Sequence, residues 1–243
     1  MRDAIRHFVA EFVGIFALVF VGGGALVLSQ AADSGIGLVE IALAHGLALA
    51  IMVSATMRVS GHLNPAVTFA FLAARRIEPI MAGVYIIAQI TGAIVAAWAI
   101  SGLFPEPLVD AARVGGQSVA LGISGTQAWM LEAIATFFLV FVVFGTAVDP
   151  EAPAVGGFAI GLTLTAAILA IGPLTGGSLN PARSLGPAVV SGIWEAQIIY
   201  WTAPVVGGIV AGLLYDLLFL RRRPDPIDHG AVRPTTDEPR GRV

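Results

Sequence analysis

The tripeptide Asn-Pro-Ala occurs twice in this chain, at Asn64-Pro65-Ala66 and at Asn180-Pro181-Ala182, each time inside an apolar stretch. Asn is a favoured helix N-cap and Pro a favoured first helical residue, so each tripeptide predicts a helix start. From Asn64 to Ala74 and from Asn180 to Val190 the sole charged residue is Arg183. At ~1.5 Å per residue each segment makes a helix of ~16 Å, half of a ~30 Å hydrocarbon core. Two half-spans entering from opposite faces bring their N-termini together near the midplane. Each then directs unpaired N–H groups and about half a positive charge at whatever lies between them. Backbone exposed at that depth must line a water-filled cavity, so the pair of tripeptides predicts a membrane pore.

Composition agrees. The chain is 57% hydrophobic and 12% charged, about half the charge of an average soluble domain, usually ~25%. Apolar runs near residues 7–28, 36–57, 80–104, 127–148, 154–172 and 197–220 predict six spans of ~20 residues, with the half-spans in the gaps. The first run is too long for a signal peptide and contains Glu11, so it is expected to stay as a span. All 13 basic residues are Arg. Arg2, Arg6, Arg58, Arg75, Arg76 and Arg221 to Arg223 flank segment ends that an even number of spans puts on one side, and the positive-inside rule makes that side cytoplasmic. The expectation is an integral, multi-pass protein with both termini cytoplasmic, in the plasma (inner) membrane. The absence of Cys removes any disulfide or thiolate metal site. No nucleophile constellation, metal cluster or phosphate loop appears, so neither enzyme activity nor a cofactor is expected, and nucleic acid is not an expected partner.

The two halves resemble each other. Glu11 and Glu132 lie in the first span of each, Gly46-Leu47 and Gly161-Leu162 in the second, and residues 92–96 answer 207–211 in the third. Three full spans per half force the second half to cross in the opposite sense, an inverted repeat. Residues 1–115 form the first repeat with half-helix 64–74, and residues 126–220 form the second with half-helix 180–190. Gly157-xxx-Gly161 and Gly208-xxx-Gly212 match the small-xxx-small pattern of close helix packing in lipid. Residues 221–243 are polar and Pro-containing and are expected to be a disordered cytoplasmic tail.

The stretches Ser60-Gly61-His62-Leu63-Asn64-Pro65-Ala66-Val67-Thr68 and Gly176-Gly177-Ser178-Leu179-Asn180-Pro181-Ala182-Arg183-Ser184 resemble the signatures of the aquaporin (major intrinsic protein) family. The resemblance runs from about Ala10 to Leu220. It implies an all-α membrane fold of six transmembrane helices plus two re-entrant half-helices. The residues themselves fit that picture. With the side-chain oxygen of Asn64 or Asn180 capping its own half-helix, the NH₂ is left to donate to a passing water oxygen. A water held by both donors points its hydrogens outward and interrupts a proton-conducting chain, while the opposed positive helix ends repel cations.

Arg183 would cost about +2.5 to +3.5 kcal/mol within a membrane segment unless it faced water or a partner. The resemblance implies that it belongs to a narrow extracellular constriction, with His45, Ile168 and Gly177 as the other members of the ring. Strict water channels often place a second His where this chain has Ile168, and the ring here is similar to that of some plant vacuolar (tonoplast) aquaporins. Ser184 and Ala188 stand where glycerol-conducting relatives usually carry Asp and a basic residue, and Tyr200-Trp201 is the pair of water channels. By the same resemblance Glu11 and Glu132 accept hydrogen bonds from the re-entrant loops, and His62 lines the inner vestibule or braces its loop. One departure is plain: relatives usually show one more residue between Ser60 and His62, so the inner loop is expected to run differently.

These readings predict a passive water channel that excludes protons and ions and also passes small neutral solutes, embedded in the bilayer and assembled, by resemblance, as a homotetramer. A facilitator mainly for ammonia, urea or another small neutral solute is the alternative. A proton-coupled transporter using the two buried carboxylates is a third reading.

Overall fold

The computed structural model describes residues 2–153 and 155–220; the expected tail, 221–243, lies outside these residues. Among the described residues there is no strand, and the fold is all-α. Helices α1 (Arg2–Leu28), α2 (Leu38–Thr56), α3 (Pro65–Ala73), α4 (Pro79–Leu103), α5 (Glu106–Ala111), α6 (Gly125–Val143), α7 (Gly156–Thr175), α8 (Pro181–Ser191) and α9 (Gln197–Leu218) succeed one another in order. Six of them, α1, α2, α4, α6, α7 and α9, are long and apolar enough to cross a membrane. Large hydrophobic side chains such as Ile51, Trp98, Phe138, Phe158 and Leu217 cover their outer faces, which suits lipid and not water. Six crossings place the N-terminal end of α1 and the C-terminal end of α9 on the same side.

The two half-spans appear as α3, with 9 residues, and α8, with 11. Neither is long enough to cross. Helix α3 packs against α9 and α8 against α4, α1 pairs with α4 and α6 with α9, and α2 meets α7. Every one of these contacts has its counterpart when α1–α4 are exchanged for α6–α9. The glycines that the halves share lie on these seams. A Cβ on Gly161 would stand 2.2 Å from the Gly46 carbonyl oxygen, and one on Gly207 would stand 2.0 Å from that of Ala133. Backbones so close leave no room for a side chain, the small-residue packing that lipid-embedded helices use in place of hydrophobic burial.

The structure departs from the hydropathy pattern at several ends. Helix α1 begins at Arg2 and not near residue 7, because its polar first turns are helical and carry an Asp3–Arg6 pair at 3.6 Å. Helix α7 runs to Thr175 through Pro173. It stops at Gly176 (φ +82°), whose N–H bonds the Gly172 carbonyl at 2.8 Å, a left-handed C-terminal cap. Helix α6 ends in a π turn, Phe144–Val148, closed by the Asp149 N–H on the Phe144 carbonyl. The connection from α4 to α6 contains α5 and a 3₁₀ turn at Arg113–Gly115, short elements that hydropathy does not register.

Candidate pore and its constriction

Each half-helix starts as its tripeptide predicts. Asn64 is extended, and its Oδ1 accepts from the Ala66 N–H at 2.8 Å. Asn180 is likewise extended and accepts from Ala182 at 3.1 Å and Arg183 at 3.2 Å. Pro65 and Pro181 occupy the first helical position, where a missing N–H costs nothing. Ala66 and Ala182 are fully buried behind them.

The amide nitrogens carry a correction. Neither NH₂ is wholly free: Asn64 Nδ2 donates to the Leu179 carbonyl and Asn180 Nδ2 to the Leu63 carbonyl, both at 2.8 Å. The two leucines hold left-handed backbone, φ +51° and +54°, costly for a non-glycine residue by about 1–2 kcal/mol. That turn hands each Leu carbonyl to the opposite asparagine. One N–H per amide is thereby spent on locking the half-helices to each other, and one is left.

The buried carboxylates, both with no exposed surface, hold the loops that lead to these turns. Glu11 accepts from the N–H groups of Gly61 at 2.9 Å, His62 at 2.8 Å and Leu63 at 2.7 Å. Glu132 accepts from Ser178 at 2.9 Å and Leu179 at 2.8 Å. Side chains complete each set: Gln89 Nε2 donates to Glu11 at 2.6 Å and Thr175 Oγ1 to Glu132 at 2.7 Å. Gln89 also donates to Thr68 Oγ1. Despite the shorter loop, Gly61 and Leu63 repeat the left-handed backbone of Gly177 and Leu179, so the final residues before each asparagine take one path.

His62 lies between the half-helix α3 and the central void. Its ring lies 3.1 Å from Thr68 Oγ1, tilts on Phe71 with centroids 4.2 Å apart, and borders the central void. Tyr200 is fully buried and donates to the Thr175 carbonyl at 2.7 Å. Its repeat counterpart Tyr85 bonds His7 Nδ1 at 2.6 Å. Ser184 shares a hydrogen bond with Ser178, Ala188 is buried, and Trp201 is half-buried on α9.

At the other end of the void, His45 Nδ1 lies 2.8 Å from the Ile41 carbonyl and Nε2 lies 2.8 Å from Arg183 Nη2. A carbonyl can only accept, so Nδ1 carries the hydrogen and Nε2 accepts from the guanidinium. Arg183 is 4% exposed, and its Nη1 has no partner among the described residues. Unpaired buried donors of this kind are rare.

His45 and Arg183 separate two voids and border both. The central one runs from His62 past Asn64 and Asn180, walled by Leu18, Leu139, Val143 and Leu164. The space it leaves for the centres of water molecules is about 20 Å³, little more than the ~10–15 Å³ that one water occupies. The outer one, about 330 Å³ on the same measure, is bordered by Ile168, Gly176 and Gln117. Gly177 borders neither: it lies against Ile168, and a Cβ there would meet the Ile168 side chain at 3.2 Å. Sequence reasoning missed Gln89, Thr68, Thr175 and Gln117. The first three are polar residues in apolar segments and could have been found that way; Gln117, in a connection, carries no such signal.

A six-span bundle with two half-helices opposed at their N-termini beside a file-width void is a membrane channel. The chain belongs to the major intrinsic protein family, whose model matches residues 1–215. It is 41% identical to a probable aquaporin TIP3-2 of Arabidopsis thaliana over 97% of this chain and 92% of that one, and 40% identical to aquaporin TIP1-2 of Zea mays over 91% and 89%. Its fold is similar to that of the aquaglyceroporin from Plasmodium falciparum, with a TM-score of 0.78 and 27% identity over 88% of this chain and 96% of that one. Members of this family are passive channels, not enzymes. The chain is thus an integral, multi-pass membrane channel for water or small solutes. Relatives named TIP aquaporins do not support the plasma-membrane location expected from the sequence.

Proposed function

We propose that this chain is a passive water channel that excludes protons and ions and also passes small neutral solutes. The observation that carries the reading is the reciprocal lock of Asn64 and Asn180 across two opposed half-helix ends, beside a void one water wide. One N–H of each amide remains to donate to a water oxygen, and two positive helix ends face that water from opposite sides. Arg183, held by His45 with Nη1 unpaired, adds a fixed positive charge and a donor at the constriction. Hydronium and other cations meet both barriers; water meets neither.

In this reading residues 1–115 and 126–220 are inverted repeats, the side bearing both chain ends is cytoplasmic, and copies associate as homotetramers with one pore each. The carboxylates of Glu11 and Glu132 act as braces. Glu11 accepts from four donors and Glu132 from three, which argues against a shuttling proton carrier. The second reading, a facilitator mainly for ammonia, urea or another small neutral solute, draws on Ile168, an apolar residue that borders the outer void.

The test is osmotic shrinkage of liposomes containing the purified protein, with proton leak monitored in the same vesicles. Shrinkage well above that of empty vesicles, with low activation energy and unchanged proton leak, is expected. Vesicles no faster than empty ones, or leaky to protons, refute the reading. Accumulation of labelled urea, which does not titrate, against its gradient, abolished by a protonophore, would establish a transporter instead.

A further inference from the structure

The two buried carboxylates are braced by different means, and the difference falls on the loop that leads to the constriction. Glu11 takes its side-chain donor, Gln89, from α4. Residues 92–96 answer 207–211, so the position on α9 that answers Gln89 is Pro204, which has no donor to give. Glu132 instead takes Thr175, the last residue of α7, which is fully buried. Counted back from each asparagine, the counterpart of Thr175 is Val59, so this brace belongs to the second repeat alone.

Thr175 ties three elements together. Its hydroxyl donates to Glu132 Oε1 on α6 at 2.7 Å, with the Ile171 carbonyl farther off at 3.4 Å. The hydroxyl oxygen accepts the Gly177 N–H at 3.2 Å, and the Thr175 carbonyl accepts from Tyr200 Oη on α9 at 2.7 Å. From there every N–H up to Asn180 is committed: Gly176 to the Gly172 carbonyl, Gly177 to Thr175, Ser178 and Leu179 to Glu132, and Asn180 to Ser178 Oγ at 3.3 Å. Asn180 Oδ1 in turn accepts the Arg183 N–H. Pro173 gives the last turn of α7 no N–H of its own, so the loop is rooted by the bonds at Thr175 and the Gly176 cap.

Resting on the channel reading, we propose that Thr175 is a positioning residue for cation exclusion: its hydroxyl fixes the loop that in turn fixes Arg183. Thr175 borders neither void, so it acts through the loop and not on a passing molecule. Its oxygen is the acceptor of the Gly177 N–H, while the Glu132 oxygens are taken up by Ser178 and Leu179. A methyl group in place of the hydroxyl leaves the Gly177 N–H unpaired against Ile168, and a buried donor without a partner is relieved by movement of its backbone. Glycine resists such a movement least. The displaced loop carries the Asn180 cap and the start of α8 with it, and the barrier to hydronium and other cations, which needs the guanidinium held in one place, falls.

The experiment records proton leak and osmotic water flow in the same liposomes, at equal amounts of folded protein, for wild type, Thr175→Val, Thr175→Ser, and Arg183→Val with and without Thr175→Val. Thr175→Val is expected to raise the leak-to-water ratio about fivefold, the factor carried by one net hydrogen bond of ~1 kcal/mol. Thr175→Ser keeps the hydroxyl and the wild-type ratio, and Thr175→Val adds nothing in the Arg183→Val background, as expected of residues that act through one another. A purely structural role would lower the yield of folded protein and leave the ratio alone. An unchanged ratio in Thr175→Val, a serine variant as leaky as the valine one, or a full further rise on top of Arg183→Val overturns the proposal while the water-channel reading stands. Wild-type vesicles that shrink no faster than empty ones, or that leak protons, refute the channel reading and this proposal together. Should Thr175→Val fail to assemble, Tyr200→Phe, which releases the Thr175 carbonyl, decides: a raised ratio supports the proposal and an unchanged one overturns it.

Discussion

Arg183 shows how one residue acquires a job from its neighbours. A guanidinium inside an apolar segment needs partners; His45 supplies one, through a tautomer that Ile41 sets. Removing the charge with Arg183→Val takes away the fixed positive end of the constriction. Proton or cation leak in vesicles is expected to rise while water flow persists; a leak identical to wild type contradicts the role given to Arg183. The brace Glu132 is more structural. Glu132→Leu strands the N–H groups of Ser178 and Leu179, each worth about 1–3 kcal/mol when unsatisfied in a buried place. Its melting temperature in detergent is expected to fall far more than that of Glu132→Gln, which keeps one acceptor oxygen. Equal losses for the two would show that the hydrogen bonds are not what matters there.

Among elements, the seam between α2 and α7 is the most restrictive. A Cβ on Gly46 would come within 1.8 Å of Thr165 Oγ1, and one on Gly161 within 2.2 Å of the Gly46 carbonyl oxygen. Overpacking usually costs ~1–3 kcal/mol where neighbours can give way, but a carbonyl oxygen held in its helix cannot. Gly161→Val is therefore expected to abolish the monodisperse, folded protein, whereas Gly83→Val on the open face of α4, where nothing lies within 4 Å, leaves it intact. Size-exclusion chromatography in detergent separates these outcomes, and a well-behaved Gly161→Val would mean the helices can part. The half-helix starts were legible because N-cap chemistry is local: an Asn, a Pro and two or three N–H groups within one turn. Helix ends were less so. The polar first turns of α1 and the continuation of α7 past Pro173 depend on contacts beyond the window that hydropathy reads.

For the whole molecule, the relevant property is a field that two half-helices make jointly. Because each asparagine is anchored on the other's loop, Asn64→Ala and Asn180→Ala each break one reciprocal bond and uncap one half-helix. Loss of a cap alone costs about 0.5–2 kcal/mol, and losses of thermal stability of similar size are expected from the two variants. A variant pair in which only one matters would show that the lock is not reciprocal. On the side of the chain ends, Arg76 and Asp216 join the α3–α4 connection to α9 at 2.5 Å, partly exposed, and Arg76→Ala is expected to cost no more than ~1 kcal/mol.

The order of amino acids alone settles whatever local chemistry and the surrounding solvent dictate. Apolar runs of span length must cross a bilayer, Asn-Pro-Ala must start a helix, and a Glu in an apolar span must find donors. Those requirements hold whatever the rest of the chain does. It took the packed bundle to establish which donors Glu11 and Glu132 find, that each asparagine gives one N–H to the opposite leucine carbonyl, that Gly177 packs on Ile168, and that Gln117 comes to rest on the outer wall. These meetings join residues as far apart as Asn180 and Leu63, 117 positions from one another, and they depend on how close the glycine seams let the backbones come.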